Sequence, residues 1–125
     1  MPHVRWKDEP EEHDYPAALD YLELVVDEAG ARAIVERLRA APQIMKKAKD
    51  ILRASALPIL PADNVHVASD IDKVQGHQDL SPVLLVRGDL VIPRPLVIAD
   101  GYHRVCAVYA LDSDAEVACR IGEKE

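Results

Sequence analysis

Apolar side chains recur along the first half of the chain with the spacing of an α-helix. Over residues 14–56 they return every three or four positions, which predicts helices packed by one face. Asp14 is the expected N-cap of the first helix, and Gly30 and Pro42 are expected to separate it from two further helices. The third helix is predicted over residues 44–52, so that residues 14–56 form a helical segment.

The pattern changes in the second half, residues 57–125, where short apolar runs are separated by Pro and Gly. Helices are predicted from Ser69 to Gly76 and over residues 102–111. Strands are predicted at four apolar runs: residues 65–68, 83–86, 96–99 and 116–121. The predicted order of elements in this half is therefore β-α-β-β-α-β.

Residues 1–13 precede both parts and are polar, with Pro2 and Pro10 among charged side chains, which predicts a flexible arm. The chain has 125 residues, and 49% of them are hydrophobic, which is enough for one compact domain with its own core. The expected fold class is α+β, with a helical N-terminal segment followed by a small β-α-β-β-α-β core over residues 57–125.

The charge balance narrows the classes of partner. Twenty-two Asp and Glu outnumber fifteen Lys and Arg, and the net charge of -7 disfavours nucleic acid, because binding phosphate backbones requires an excess of cations. No apolar stretch approaches the length of a membrane span, and the charged N-terminus lacks the apolar region of a secretory signal. We therefore expect a cytoplasmic protein whose two thiols, Cys106 and Cys119, are reduced and buried in the core.

The junction between the strand at residues 96–99 and the helix at residues 102–111 has the clearest chemical pattern. Asp100 is placed to cap the helix, and Gly101 lets the backbone approach a ligand. A helix N-terminus presents unpaired N–H groups and a partial positive charge, which suit an anion such as phosphate. The junction is therefore the first candidate for a binding site.

His103 and Arg104 follow in the first turn of this helix. Arg offers a planar fork of donors to phosphate oxygens, and His acts as an acid or base near neutral pH. Cations are unfavourable at a helix N-terminus, so an anion is expected to compensate them, either Asp100 or a bound ligand. The helix has no charge from Val105 to Leu111, which predicts that the sheet covers one side and the N-terminal helices or a second subunit the other.

The sequence DGYHR at residues 100–104, followed by Ala107, resembles the ParB/sulfiredoxin-like superfamily in its D-G-x-H-R form, which includes domains labelled ParB-like nucleases. The upstream order also resembles that family, because the short helix with DIDKV is followed by Gly76, Pro82 and the strand VLLV. The resemblance covers residues 57–121, about half of the chain, and it implies the same β-α-β-β-α-β core.

This resemblance implies that the turn holds the phosphate of a nucleotide or of another small ligand. Mg²⁺ would accompany a bound triphosphate. The expected catalytic residues are His103 and Asp100. No metal ligands are assigned, and the expected phosphate-binding residues are Gly101, Tyr102, His103, Arg104, Lys73 and Ser81.

Three branches of the superfamily imply different reactions. Sulfiredoxins carry a catalytic Cys directly before the His-Arg pair, where this chain has Tyr102, so sulfinic-acid reduction is not expected. ParB proteins hydrolyse CTP and have a further DNA-binding domain, for which a chain ending at Glu125 has no room. Free-serine kinases combine a similar turn with ADP or ATP and a carboxylate, for which Asp70 and Asp72 are candidates.

The leading hypothesis is a domain that binds a phosphate or nucleotide, with nucleotide hydrolysis or phosphoryl transfer as its reaction if it is an enzyme. The alternative is a non-enzymatic interaction or regulatory module, whose degenerate pocket is filled by side chains and in which Arg104 pairs only with protein carboxylates. A ParB-like nuclease is the third hypothesis, which the acidic charge disfavours. The helical segment is a candidate surface for a homodimer.

Overall fold

The computed structural model describes residues 3–125, so Met1 and Pro2 of the predicted arm lie outside it. Within this range the chain has the predicted α+β fold, with five α-helices and four β-strands. None of these helices is long and apolar enough to cross a membrane. The elements in chain order are α1 (Asp14–Leu22), α2 (Glu28–Ala40), β1 (Gln43–Lys47), α3 (Ala48–Ser55), α4 (Val65–Gln75), β2 (Val83–Val86), β3 (Val97–Asp100), α5 (Tyr102–Leu111) and β4 (Glu116–Gly122).

The strands form one mixed sheet in the order β1-β4-β2-β3. β4 runs parallel to β2 and antiparallel to β1, while β2 and β3 form an antiparallel pair. β2 lies inside the sheet and all four of its residues are buried, which explains why its apolar run shows no polar alternation. The sheet therefore has β1 and β3 at its edges.

Helices cover both faces of this sheet and divide the core in two. On one face, α3, α4 and α5 pack against the sheet, with Val67 and Val105 in contact with the cluster that contains Leu85. On the other face, α1 and α2 pack around Leu38 and Leu84. The adjacent β2 residues Leu84 and Leu85 point to opposite faces, as expected for neighbours along a strand.

α5 is the most deeply buried helix of its face. Its residues Val105, Cys106, Ala107 and Val108 are fully buried between the sheet and helices α3 and α4. This confirms that the uncharged helix is covered on both sides. Of the helices in the N-terminal segment, α3 covers it, whereas α1 and α2 lie across the sheet. Burial raises the pKa of the Cys106 thiol, and raises that of Cys119 to about 11, so both thiols are protonated at neutral pH.

The predicted helix over residues 44–52 is wrong in its first half. The stretch Gln43–Lys47 is the strand β1, and α3 begins only at Ala48. The backbone of β1 pairs with β4, where Ile44 lies opposite Cys119, and this long-range pairing overrides the local preference for helix. None of the β1 residues is fully buried. A strand without a buried face does not need alternating apolar and polar residues, so its sequence lacks the pattern that would have predicted it.

The predicted strand over residues 65–68 is also wrong, because these residues begin α4. The Asn64 side chain accepts hydrogen bonds from the N–H groups of His66 and Val67, at 3.0 and 3.2 Å, and so caps the helix. β1 supplies the remaining strand of the sheet instead. The sheet therefore extends into the segment that was predicted to be entirely helical, and the order β-α-β-β-α-β does not begin at residue 65.

The arm lies along the segment that precedes β2. Trp6 forms a parallel bridge with Leu80, and the Lys7 N–H donates to the Leu80 carbonyl at 2.8 Å. The arm leads directly into α1, where His13 is the N-cap and Asp14, the predicted cap, is the first helical residue. The described part of the predicted arm is thus hydrogen-bonded to the rest of the protein.

Candidate functional site

Gly101 forms the turn between β3 and α5. Its φ of 108° lies in the region that favours glycine, and a Cβ at this position would overlap the side chain of Val83. α5 begins at the next residue, so Tyr102, His103 and Arg104 lie in a first turn whose backbone N–H groups have no intrahelical acceptors. The turn predicted from the DGYHR sequence is therefore present.

The Arg104 guanidinium is held by oxygen atoms of the protein. Its Nη2 donates to Asp100 Oδ2 at 2.6 Å, and its Nη1 donates to the Ser81 carbonyl at 2.6 Å. Nη1 also lies 3.4 Å from both Asp14 Oδ2 and the Pro82 carbonyl. Only 13% of the side chain is exposed. Through these contacts Arg104 joins α1, the end of β3 and the segment before β2.

Asp100 is the anion that compensates Arg104, which was one of the two alternatives open from the sequence. It does not cap α5 as predicted, because the N-cap is Gly101 and no side-chain hydrogen bond caps the helix there. Burial is the largest effect on the pKa of Asp100 and raises it. Arg104 lowers this pKa and the Asp14 carboxylate raises it, and the resulting value is about 6. Asp100 therefore exchanges its proton close to neutral pH.

Asp14 completes this cluster, although the sequence suggested for it only a capping role. Its buried carboxylate accepts a hydrogen bond from Ser81 Oγ and lies beside Arg104. The Ser81 hydroxyl also accepts a hydrogen bond from the Glu11 N–H at 3.0 Å. We call Asp14, Ser81, Asp100 and Arg104 the Arg104 cluster. An acidic residue before the first apolar helix was the only sign of Asp14, and the same sign marks an ordinary helix start.

A cavity of about 240 Å³ opens at the N-terminal end of α5, and we call it the α5 cavity. It lies between the first turn of α5 and the side chains of α4. Its lining consists of His66, Ser69, Asp70, Lys73, Asp100, Gly101, His103 and Arg104. The structure therefore brings together Lys73, Gly101, His103 and Arg104 from the predicted phosphate-binding set.

Lys73 brings a second cation to this cavity from the last turn of α4. Its side chain is half exposed, and its Nζ lies 3.7 Å from Asp70 Oδ1, which is a long ion pair. Asp70 is itself largely buried. The ammonium is therefore accessible to a bound anion, and the carboxylate beside it is a ligand type that Mg²⁺ prefers.

Two histidines lie against each other at the same cavity. The ring centroids of His66 and His103 are 4.8 Å apart, with the rings tilted by 55°. Burial lowers the pKa of His103, the neighbouring His66 lowers it further, and Asp70 raises it. His103 is therefore neutral at pH 7 and has one ring nitrogen to donate and one to accept a hydrogen bond.

Two of the predicted phosphate-binding residues do not line the α5 cavity. The Tyr102 hydroxyl donates to the Pro58 carbonyl and so is directed toward the segment between α3 and α4. Ser81 belongs to the Arg104 cluster and lines an adjoining cavity of about 320 Å³, which shares Asp70, Lys73, Asp100 and Arg104 with the first. The hydroxyl groups of both residues therefore bind other parts of the protein, and neither faces the α5 cavity.

Glu11, His13 and Asp14 form a group of potential metal ligands among the described residues, with ligand atoms within 4.8 Å of one another. His13 Nε2 lies 3.1 Å from Glu11 Oε2 and 3.5 Å from Asp14 Oδ1, so these side chains already pair with each other. We assign no metal to this group.

Comparison with known proteins finds no match among protein-family models, curated proteins or solved structures. The resemblance of the DGYHR turn to the ParB/sulfiredoxin-like superfamily therefore stays a prediction.

Proposed function

We propose that this protein binds a small phosphate-containing ligand, such as a nucleotide, in the α5 cavity. The observation that carries the proposal is that Gly101 and His103, at the free N-terminal turn of α5, line the same cavity as the Lys73 ammonium. A helix N-terminus and a nearby cation both favour a phosphate group. The volume of about 240 Å³ suits the phosphate part of a nucleotide, with the base outside it.

Lys73, His103 and the backbone at Gly101 are the direct phosphate ligands in this proposal. Lys73 supplies the charge, and the neutral His103 ring donates one hydrogen bond. In this proposal Arg104 is not a direct phosphate ligand, because its Nη1 and Nη2 already donate to the Ser81 carbonyl and to Asp100. We assign Arg104 to holding the turn in place.

The finer fold assignment, a ParB/sulfiredoxin-like core, belongs to the same proposal. It is supported by the β2–β3 pair followed by the glycine turn and α5. The parallel pairing of β4 with β2 is also what a strand–helix–strand unit produces. The strand β1, which lies before the segment that carries the resemblance, is an addition or a departure that the family pattern did not imply.

Nucleotide hydrolysis or phosphoryl transfer is the reaction that the site would support. Asp70 would hold Mg²⁺ together with the phosphates, and the ion would neutralise charge on the transferred group. His103 is neutral at pH 7, so it can accept a proton from an attacking water or hydroxyl group. Asp100 is less suited to that role, because Arg104 holds its carboxylate.

Isothermal titration calorimetry tests the binding proposal with ATP, ADP and CTP in the presence of Mg²⁺, and with inorganic phosphate. We expect at least one of them to bind, and Lys73→Ala and His103→Ala to weaken binding about tenfold each, the loss of roughly one charge-assisted hydrogen bond. Lys49→Ala is the matched control, since Lys49 pairs with Asp114 away from the cavity. Absence of binding, or equal binding by all variants, would contradict the proposal.

A second candidate is the non-enzymatic interaction module, and one observation favours it. Arg104 is paired with the carboxylates of Asp100 and Asp14 and with backbone carbonyls, so the cluster is complete without a ligand. If this candidate is right, neither nucleotides nor phosphate will bind at the α5 cavity. The nuclease hypothesis is tested separately by nicking of supercoiled plasmid with Mg²⁺ or Mn²⁺, and we expect no nicking.

The cytoplasmic location and a homodimer through the helical segment are also proposals. Two buried, protonated thiols fit a reducing compartment. Sedimentation velocity over a range of protein concentrations tests the dimer. A sedimentation coefficient that rises with concentration supports it, and a constant monomer value contradicts it.

A further inference from the structure

A second concave surface lies on the opposite face of the sheet, and we call it the basic groove. It has a volume of about 360 Å³ and opens where the connection between α1 and α2 passes over the sheet. Its apolar lining includes Val25 and Val26 of that connection, and Val86 and Val97 of strands β2 and β3. The basic groove shares no lining residue with the α5 cavity, so it is a separate candidate site.

Aliphatic side chains are exposed in both segments that border this groove. Val25, which lines it, is 52% exposed, and its neighbour Leu24 is even more exposed. The loop between β2 and β3 continues from the lining residue Arg94, and there Leu90 and Val91 are 98% and 91% exposed. Clustered exposed aliphatic residues of this kind mark an interaction surface more often than isolated ones do.

Three cations line the same groove: Arg87, Arg94 and Lys124. Arg87 pairs with Glu123 at 2.7 Å, and Lys124 lies 3.9 Å from Glu125. Among the described residues, Arg94 has no carboxylate within 4.0 Å, and its backbone alone is hydrogen-bonded, to Asp89. Within the described part of the chain, Arg94 is therefore the cation of this groove that stays available to a partner, because neighbouring carboxylates already neutralise Arg87 and Lys124.

We propose that the basic groove docks a segment of another protein that carries aliphatic side chains flanked by carboxylates. The aliphatic side chains would enter the groove beside Val25 and Val97, and a carboxylate would accept hydrogen bonds from Arg94. Charge complementarity selects this partner, because the Arg94 guanidinium attracts a carboxylate and repels a cationic side chain.

Two other occupants fit the groove less well. A second copy docking by the same groove about a two-fold axis would bring Arg94 to a surface whose carboxylates, Glu123 and Glu125, already pair with Arg87 and Lys124. An anionic membrane surface would repel a chain of net charge -7. A concave groove also fits single side chains better than it fits a flat lipid surface. The partner segment is therefore the proposal, and the other two are outcomes of its test.

A random dodecapeptide display library, selected against the full chain, tests the chemistry of the partner without assuming its sequence. We expect selected peptides to combine Leu, Ile, Val or Phe with Asp or Glu. In fluorescence anisotropy the best of them should bind at least tenfold more weakly to Arg94→Glu and to Val25→Asp. Arg53→Glu is the matched control, because Arg53 is a highly exposed Arg that does not line this groove, and it should bind normally.

Circular dichroism of each variant establishes that it is folded before its affinity is compared. The proposal is overturned if selection enriches no acidic aliphatic peptides, or if the groove variants bind as tightly as the control. It is also overturned if the chain binds vesicles of phosphatidylglycerol through Arg94, or dimerises in a way that Val25→Asp abolishes. Because all of these readouts concern the basic groove and none concerns the α5 cavity, failure here leaves the proposal for the α5 cavity standing.

Discussion

At the scale of single residues, Arg104 links the candidate site to the rest of the fold, because its guanidinium pairs with Asp14 of α1 and with Asp100 at the end of β3. Gly101, His103 and Lys73 line one cavity beside it. Asp14 was missed as a site residue, because it is far from Arg104 along the chain and only the fold brings the two together. Sequence patterns show local chemistry, whereas a buried ion pair between distant segments depends on packing.

Replacing Arg104 with Ala should destabilise the protein by about 3 to 5 kcal/mol, because the change leaves two carboxylates close together without their shared cation. Urea unfolding followed by circular dichroism measures this loss. The control is Arg53→Ala, which removes an exposed pair within α3 and should leave the free energy of unfolding nearly unchanged. Equal effects of the two changes would show that the Arg104 cluster has no stabilising role.

The Asp100 carboxyl should titrate near pH 6, well above its ordinary value of 3.8. Because its pKa is raised in the folded state, the folded protein binds this proton more tightly than the unfolded chain does. Its contribution to stability is therefore present at low pH and is lost as the pH rises from about 4 to about 6.

Carboxyl-detected NMR of ¹³C-labelled protein measures the Asp100 midpoint directly, and Asp100→Asn should remove that part of the pH dependence of unfolding. Since Asn keeps the shape of the side chain, this variant separates the charge from the packing. A midpoint below pH 4 would mean that the Arg104 guanidinium outweighs the burial of Asp100.

At the scale of elements, most helices and strands lie where the apolar spacing predicts them, and each half of the chain contains one element of the wrong type. β2, β3, α5 and β4 lie where the apolar runs and the glycine punctuation indicated. β1 was not recognisable because edge strands with partly exposed side chains lack a clear period, and its pairing with β4 joins residues far apart along the chain. The residues 65–68 predicted as a strand are instead the start of α4, because Asn64 caps a helix there.

Asn64→Ala should cost about 1 kcal/mol of stability, since it removes the side-chain acceptor for two N–H groups of α4. Asn64→Asp is the control, because it retains an oxygen acceptor and adds a favourable charge at the helix N-terminus. Thermal unfolding of the three proteins measures the difference. If the Ala and Asp variants have the same melting temperature, the cap contributes nothing to the folding of α4.

At the scale of the whole molecule, three long-range connections join the predicted arm, helical segment and core. β1 from the predicted helical segment pairs with β4, and Trp6 from the predicted arm pairs with Leu80. Arg104 then connects the first helix to the sheet. These three long-range connections make the segments parts of one sheet-centred structure, and none of them has a local sign in the sequence.

The single Trp of the chain, Trp6, allows this integration to be measured without a label. If the arm belongs to the cooperative unit, unfolding by urea followed through Trp6 fluorescence should coincide with unfolding followed through the helical circular dichroism signal. A fluorescence transition at a clearly lower urea concentration than the circular dichroism transition would indicate that the arm is flexible, as the sequence predicts.

The most direct test of the central claim is a titration of ¹⁵N-labelled protein with Mg²⁺-ADP and, separately, with inorganic phosphate, observed by amide NMR spectra. The account predicts saturable shifts concentrated at Gly101, Tyr102, His103 and Arg104 and at the Lys73 end of α4, and their loss in Lys73→Ala. Spectra that remain unchanged, or shifts located away from the N-terminal turn of α5, would contradict the assignment of a phosphate site to the DGYHR turn.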